Sequence, residues 1–309
     1  MTFDVSALPG RAEELYQAAE DAERQASMQK DGPPPSWVVS GDRVRAIYND
    51  FLDIPSPDDF TTDTDNLLEA MRQLATEGFS ATNAGEDAKT LEPANSDLAG
   101  VNAAGVEIED WTGDAADAFF TNYGSKFTPT ASNLFCAYFV LRHAVNAEAA
   151  VWQTAREDLD QLSKDATEQM RHVRDSNQDD WTNALSVAGA VIAVGSAVPT
   201  GGASISGWAV ASAGVTVAST GMGLYAGDGE KKDPMELANS NPDTIISEVE
   251  RVLGEIKKKI KEGEAEINQA VANAVSSVTD QWTAFCLPRP ALADVPRGDI
   301  HGDEHMGGV

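Results

Sequence analysis

Residues 138–173 read YFVLRHAVNAEAAVWQTAREDLDQLSKDATEQMRHV, and within them Tyr138, Leu141, Val145, Trp152, Leu159, Leu162, Ala166, Met170 and Val173 recur at steps of three, four or seven. An α-helix turns once in 3.6 residues, so these side chains share one stripe. The spacing predicts a helix of roughly 45 residues, about 65 Å long at 1.5 Å per residue. A stripe that long must be covered by another long element. The sequence offers one near its end, where Val249, Val252, Ile256, Ile260, Ile267, Val271, Ala274, Val278 and Trp282 recur mostly at steps of three and four before Pro288 and Pro290 stop the pattern. Alternating strand patterns are missing from the sequence. The expected fold is therefore all-α, an elongated antiparallel bundle with three or more helices longer than about 30 residues.

Toward the N-terminus the pattern shortens. Asp4 to Lys30 reads as an amphipathic helix with Leu15, Ala18, Ala19 and Ala22 on one side, ended by Pro33, Pro34 and Pro35, which lack the N–H a helix needs. A short helix is expected over Gly41–Leu52, where Val44, Ile47, Tyr48 and Phe51 share a face, closed by Pro55 and Pro57. From Asp58 a stripe runs through Leu67, Met71, Leu74 and Gly78 and, past a looser stretch around Pro93, through Leu98, Val101, Gly105 and Ile108. It breaks at Trp111-Thr112-Gly113, resumes with Phe119, Tyr123 and Phe127, and passes Pro129 into the long helix.

From Trp181 to Gly227 there is no Asp, Glu, Lys or Arg in a chain that is 23% charged. Pro199-Thr200-Gly201-Gly202 divides the run into Leu185–Val198 and Ile205–Ala226, which predicts a helical hairpin inserted before the last long helix. Gly207, Gly214 and Gly221 recur every seventh residue with Ala211 and Ala218 between them, a stripe of small side chains that lets another helix approach closely. Five segments result: residues 1–57 with short helices and a Pro-rich linker, the helical hairpin 58–180, the uncharged hairpin 181–227, the last long helix within 228–287, and a tail, 288–309, with the Gly, Asp and Pro content of a flexible segment.

Composition narrows the partners. Fifty acidic against 22 basic residues leave a formal charge of −28, which repels phosphate and argues against nucleic acid. An apolar content of 42% sustains a real core, and aromatics at only 7% suit close-packed helices. Cys136 and Cys286 are too far apart in sequence for a CxxC motif and stand either as two buried thiols or as one long-range disulfide. Residues 1–24 carry acidic side chains where a secretory signal has basic ones, and no apolar core follows, so Sec export is not expected.

Trp111-Thr112-Gly113-Asp114-Ala115-Ala116-Asp117-Ala118-Phe119, between two helical stripes, resembles the W-x-G turn of the WXG family of type VII secretion substrates. Gly113 suits a tight helix-to-helix turn, Trp111 can cover the hairpin end, and Asp114 or Asp117 favours the free N–H groups of the next helix. The resemblance covers roughly Asp58–Val173. Such substrates commonly carry a Y-x-x-x-[D/E] export signal, matched by Tyr16-Gln17-Ala18-Ala19-Glu20, whose ends lie one turn apart; here it comes early, whereas in the family it follows a helix-turn-helix. PE and PPE proteins supply the signal and the W-x-G turn from two chains or one fused chain, and this sequence resembles a shortened version of that arrangement. The resemblance implies a protein secreted or held at the cell surface without a Sec signal, whose partners are the type VII machinery, a helical protein or a second copy.

Long helices with an uncharged hairpin before the last one also look like the cytolysin A and tripartite-enterotoxin class of pore-forming toxins. Ile205–Ala226, about 33 Å as a helix, matches a hydrocarbon core of about 30 Å, whereas Leu185–Val198 reaches about 21 Å. In that reading Trp181, Trp208 and Tyr225 lie near the membrane interfaces. The serines of the run weaken partitioning, so contact with a membrane is expected to be conditional.

Catalytic constellations are not apparent, and neither an enzyme nor a cofactor or resident metal is expected. His143 and His172 are roughly 43 Å apart along one helix and cannot share a site. His301 and His305 sit among glycines in the tail, where only adventitious metal binding is expected. No phosphate loop, dinucleotide fingerprint or nucleophile elbow is present. Lys257-Lys258-Lys259-Ile260-Lys261, the one basic cluster, reads either as a solvated face or as a dock for an acidic patch or anionic lipid.

Overall fold

The computed structural model describes residues 3–29, 39–75, 79–81, 89–92, 95–98, 113, 117, 119–175 and 241–287. The protein is all-α, with one short two-stranded ribbon among the described residues. A 3-10 turn, Val5–Ala7, leads into α1, Leu8–Gln29; α2 is Gly41–Arg45, and α3, Thr61–Leu74, follows the 3-10 turn Pro57–Phe60. Strands β1, Phe79–Ala81, and β2, Lys89–Glu92, pair antiparallel. Then come α4, Ser125–Asp175, α5, Pro242–Asp280, and the single turn α6, Trp282–Phe285.

The two longest helices have 51 and 39 residues. No third helix among the described residues exceeds 30, since α1 has 22, so the expected set of three is reduced to two there. The helix α4 begins earlier than the spacing suggested. A π-helical turn at Phe120–Gly124 precedes it, and Pro129 lies inside the helix, near enough to its start that the missing N–H costs only one early hydrogen bond. At the start of α5, Asn241 Oδ1 accepts the Thr244 N–H at 2.8 Å and the Thr244 hydroxyl at 2.9 Å, and Pro242 takes the first helical position, where no N–H is needed.

The described elements belong to two compact units. One contains α1, α2, the segment to Asp59, α4 from Glu148 and α5 to Ala265. The helix α2 packs on α1. Leu8, Leu15, Ala19, Val44, Tyr48, Phe51, Leu159, Met170, Ile245, Ile246 and Ile256 are buried. Of the four residues its spacing selected, Gly41–Leu52 buries Val44, Tyr48 and Phe51 and leaves Ile47 half-buried, but only Gly41–Arg45 is α-helical; a turn and the 3-10 turn Asn49–Phe51 complete it. Asp158 feels Lys259 and Glu148 feels Glu264, so partners descend along α5 as numbers ascend along α4. The pair is antiparallel.

The second unit contains α3, the ribbon, α4 to Ala147, α5 from Glu266, and α6. Met71 and Ala75 pack with Phe135 and Phe139. Cys136 and Val140 pack with Ala274 and Phe285, and Asn133 Nδ2 donates to the Ala284 carbonyl at 2.9 Å, again an antiparallel arrangement of α4 with α5. The helical stripe expected to run on from Asp58 stops at Leu74 and gives way to the ribbon. Asn95 closes it by donating through its side chain to the Gln73 carbonyl at 2.9 Å and through its backbone N–H to that of Ala75, which satisfies carbonyls left open at the helix end.

Within this unit the buried face of α4 is rotated from the stripe read in the sequence. Phe135, Cys136, Phe139, Val140, Ala144 and Ala147 are buried, whereas Leu141 is 39% exposed and Phe119 37%. Trp282, expected on the buried stripe of the last long helix, lies past its end in α6 and is 61% exposed. Alanines facing the partner allow close approach, and larger side chains are displaced to the flanks.

Candidate functional site

The best-resolved candidate is the Tyr16–Glu20 pair on α1. One helical turn separates the residues, and the Tyr16 hydroxyl donates to Glu20 Oε1 at 2.7 Å. Arg45, on α2, lies over the Tyr16 ring with its guanidinium carbon 4.3 Å from the ring centre, while its Nε donates to Glu13 Oε2 at 2.7 Å. Gly41 brings the backbone so close that a Cβ there would stand 3.0 Å from the tyrosine ring. Glu13, Tyr16, Glu20 and Arg45 thus form one polar network on a partly exposed face. The hydrogen bond to Glu20 raises the Tyr16 phenol above its ordinary range, and burial acts the same way. The phenol remains a neutral hydrogen-bond donor at physiological pH.

Gly113 is the described member of the W-x-G sequence; Trp111 lies outside the described residues. Its φ of +105° is left-handed backbone open to glycine and strained for any other residue. Its carbonyl accepts the Asp117 N–H at 3.0 Å. The hairpin residues Gly207, Trp208, Ala211, Gly214, Ala218 and Gly221 also lie outside the described residues, as do His301 and His305. No described helix is long and apolar enough to cross a membrane, and the charge-free run is not among those helices.

The remaining sequence candidates separate. His143 is half-buried against Phe139, with ring centres 4.1 Å apart, and desolvation, with Arg142 adding to it, lowers its pKa to about 4. His172 stands near Glu168 at 3.8 Å. No described group of histidines, cysteines and carboxylates could hold a metal ion. Cys136 and Cys286 are free thiols, and burial pushes the Cys136 thiol up to about 12. In the basic cluster, Lys257 pairs with Asp50 and lies 5.4 Å from the Phe51 ring centre, while Lys258 pairs with Glu262 at 3.7 Å. The cluster thus pairs two of its lysines with acidic residues of its own chain.

Two features escaped the sequence reading. Arg156 is buried on α4 and donates through Nε to the Pro55 carbonyl at 2.9 Å, through Nη1 to that of Phe3 at 3.0 Å and through Nη2 to that of Ile54 at 2.9 Å. The available signal was an arginine one residue after Ala155 and three before Leu159, on a stripe otherwise apolar. The second is Asp158, whose carboxyl is raised to about 7 by burial and further by Glu157, against the pull of Lys259. Paired acids are so common in this chain that nothing in sequence distinguished it.

No protein-family model, curated protein or solved structure matches the chain.

Proposed function

We propose that this is a non-enzymatic substrate of a type VII secretion system, WXG-like, that leaves the cell without a Sec signal and acts through helix–helix association with a helical partner or a second copy. The observation that carries the reading is Gly113. In the sequence Trp-Thr-Gly it has the positive φ of a turn glycine, and its carbonyl accepts the Asp117 N–H. The Tyr16–Glu20 pair supports it, because both side chains project from one face of α1 and their bond fixes them as a unit. Two long antiparallel helices are the kind of surface through which such association works.

The test is export in a host carrying a type VII system. Trp111→Ala and Tyr16→Ala are expected to hold the protein in the cell at wild-type helicity. Undiminished export of both variants would overturn the reading.

A second reading, membrane activity through residues 181–227, is favoured by one observation, the complete absence of charge across that run. Dye release from liposomes, abolished by Gly214→Asp in a folded protein, is its expected signature. No release from neutral or anionic vesicles at neutral and low pH would remove it.

A further inference from the structure

In the second unit α6 is a separate turn docked against α4. The helix α5 ends at Asp280, and Gln281, with φ −112° and ψ +31°, leaves helical backbone before Trp282–Phe285 forms its single turn. Asn133 Nδ2 on α4 donates to the Ala284 carbonyl at 2.9 Å, and Phe285 lies in one buried cluster with Cys136, Val140 and Ala274. Both contacts bear on the cysteines. Asn133 and Cys136 are three residues apart on α4 and share a face, while Cys286 directly follows Phe285 on extended backbone, φ −127° and ψ +132°. Cys136 is fully buried and Cys286 half-buried. Thiols that stand about 150 residues apart in the chain are thus carried by two pieces of backbone that touch within the same unit.

We propose that Cys136 and Cys286 are a redox pair that closes an intramolecular disulfide in an oxidising environment and so latches α6 to α4. The free thiols seen here are its reduced state. A disulfide needs Cα atoms about 4.4–6.8 Å apart with their Cβ atoms turned toward each other, and a rotation of the α6 turn, already seated one residue away on the cluster of Cys136, is the movement that supplies it. Cys286, the more accessible thiol, reacts first. With a small disulfide such as oxidised glutathione as oxidant, the Cys286 thiol loses its proton and its sulfur displaces one glutathione thiolate, leaving a mixed disulfide. Cys136 then loses its proton and attacks Cys286 Sγ, and the second glutathione leaves as thiolate. The two protein thiols give up two electrons and two protons, and one oxidised glutathione becomes two reduced molecules. Burial pushes the Cys136 thiol up to about 12, which makes it a poor first nucleophile and assigns it the second, intramolecular step.

The latch is independent of the export reading and is tested on the purified full chain. Reduced protein is equilibrated with mixtures of reduced and oxidised glutathione, quenched in acid and alkylated. The expected product is a monomer about 2 Da lighter, with no thiol left to alkylate and a peptide pair joining Cys136 to Cys286. The same titration in urea measures closure without the fold. The folded chain is expected to close the bond in a buffer at least about tenfold more reducing, because the fold raises the effective concentration of one thiol at the other. The oxidised chain is also expected to melt about 5–10 °C higher than the reduced one, a rise that Cys286→Ser should not show. Two thiols still free after full oxidation, a glutathione adduct on Cys286 that never resolves, or a dimer linked through Cys286 would overturn the proposal. So would equal closure in urea, or an unchanged melting temperature in the oxidised chain.

Discussion

Arg156 ties separate stretches of backbone to α4. Its guanidinium bonds three backbone carbonyls, of Phe3, Ile54 and Pro55, that no helix satisfies. Replacing it by methionine keeps the bulk of the stem but leaves those carbonyls without their charged donor. Arg156→Met is expected to destabilise by about 3 kcal/mol or more, measured by urea denaturation, because each unmet buried polar group costs about 1–3 kcal/mol. Asp158 makes the opposite kind of prediction. Its folded pKa, about 7, lies above the ordinary aspartate value of 3.8, so the folded chain holds a proton that the unfolded chain releases. Its contribution to stability therefore rises as pH falls from about 7 toward 4 and is absent above 7. Asp158→Asn should stabilise the protein at pH 8 and flatten that part of the stability profile. Glu250, held low by its bond to Arg43, works the other way, and its share is lost only as pH falls below the usual glutamate range. At this scale the sequence was a partial guide. The Tyr16–Glu20 pairing followed from helical spacing, whereas Arg156 and Asp158 depend on what lies across from them in space.

At the scale of elements, the segment Gly41–Phe51 shows which forces hold the first unit. Arg43 bonds Asp243 at 2.7 Å and Glu250 at 2.6 Å, and its Nη2 also donates to the Ser247 hydroxyl at 3.1 Å, but its side chain is 36% exposed. Water and salt screen such pairs, so Arg43→Ala is expected to cost below about 1 kcal/mol and less at high salt. Phe51 is only 2% exposed, and Phe51→Ala should cost about 3–5 kcal/mol through lost burial and the cavity left behind. Thermal melts of the two variants at low and high salt check both the order and its salt dependence. The long helices were legible because a 3.6-residue period repeated over ten or more turns is hard to mistake. The ribbon was not: strands of three and four residues carry almost no period, and their pairing depends on the return of the chain to Asn95. The rotated face of α4 was missed for a related reason. A stripe drawn by spacing alone took in Leu141, while the structure buries Ala144 and Ala147 instead, on an adjacent face of the same helix.

At the scale of the molecule, an all-α chain of strongly acidic composition carries a positive-φ glycine and a Tyr–Glu pair, the two features on which the proposed export reading rests. The turn glycine could be read in part from sequence, since the positive φ at Gly113 is strained for other residues. Gly113→Ala is expected to cost about 1 kcal/mol or more in thermal unfolding from that strain. The partner remained illegible because recognition between helices is written in surface shape, and no three-residue motif encodes it. The central claim is the export route. Its most direct measurement is the amount of full-length protein in culture supernatant from two isogenic hosts, one with a functional type VII system and one without. The account predicts the protein outside the cells only when the system works; equal amounts in both supernatants, or retention inside both hosts, would contradict it.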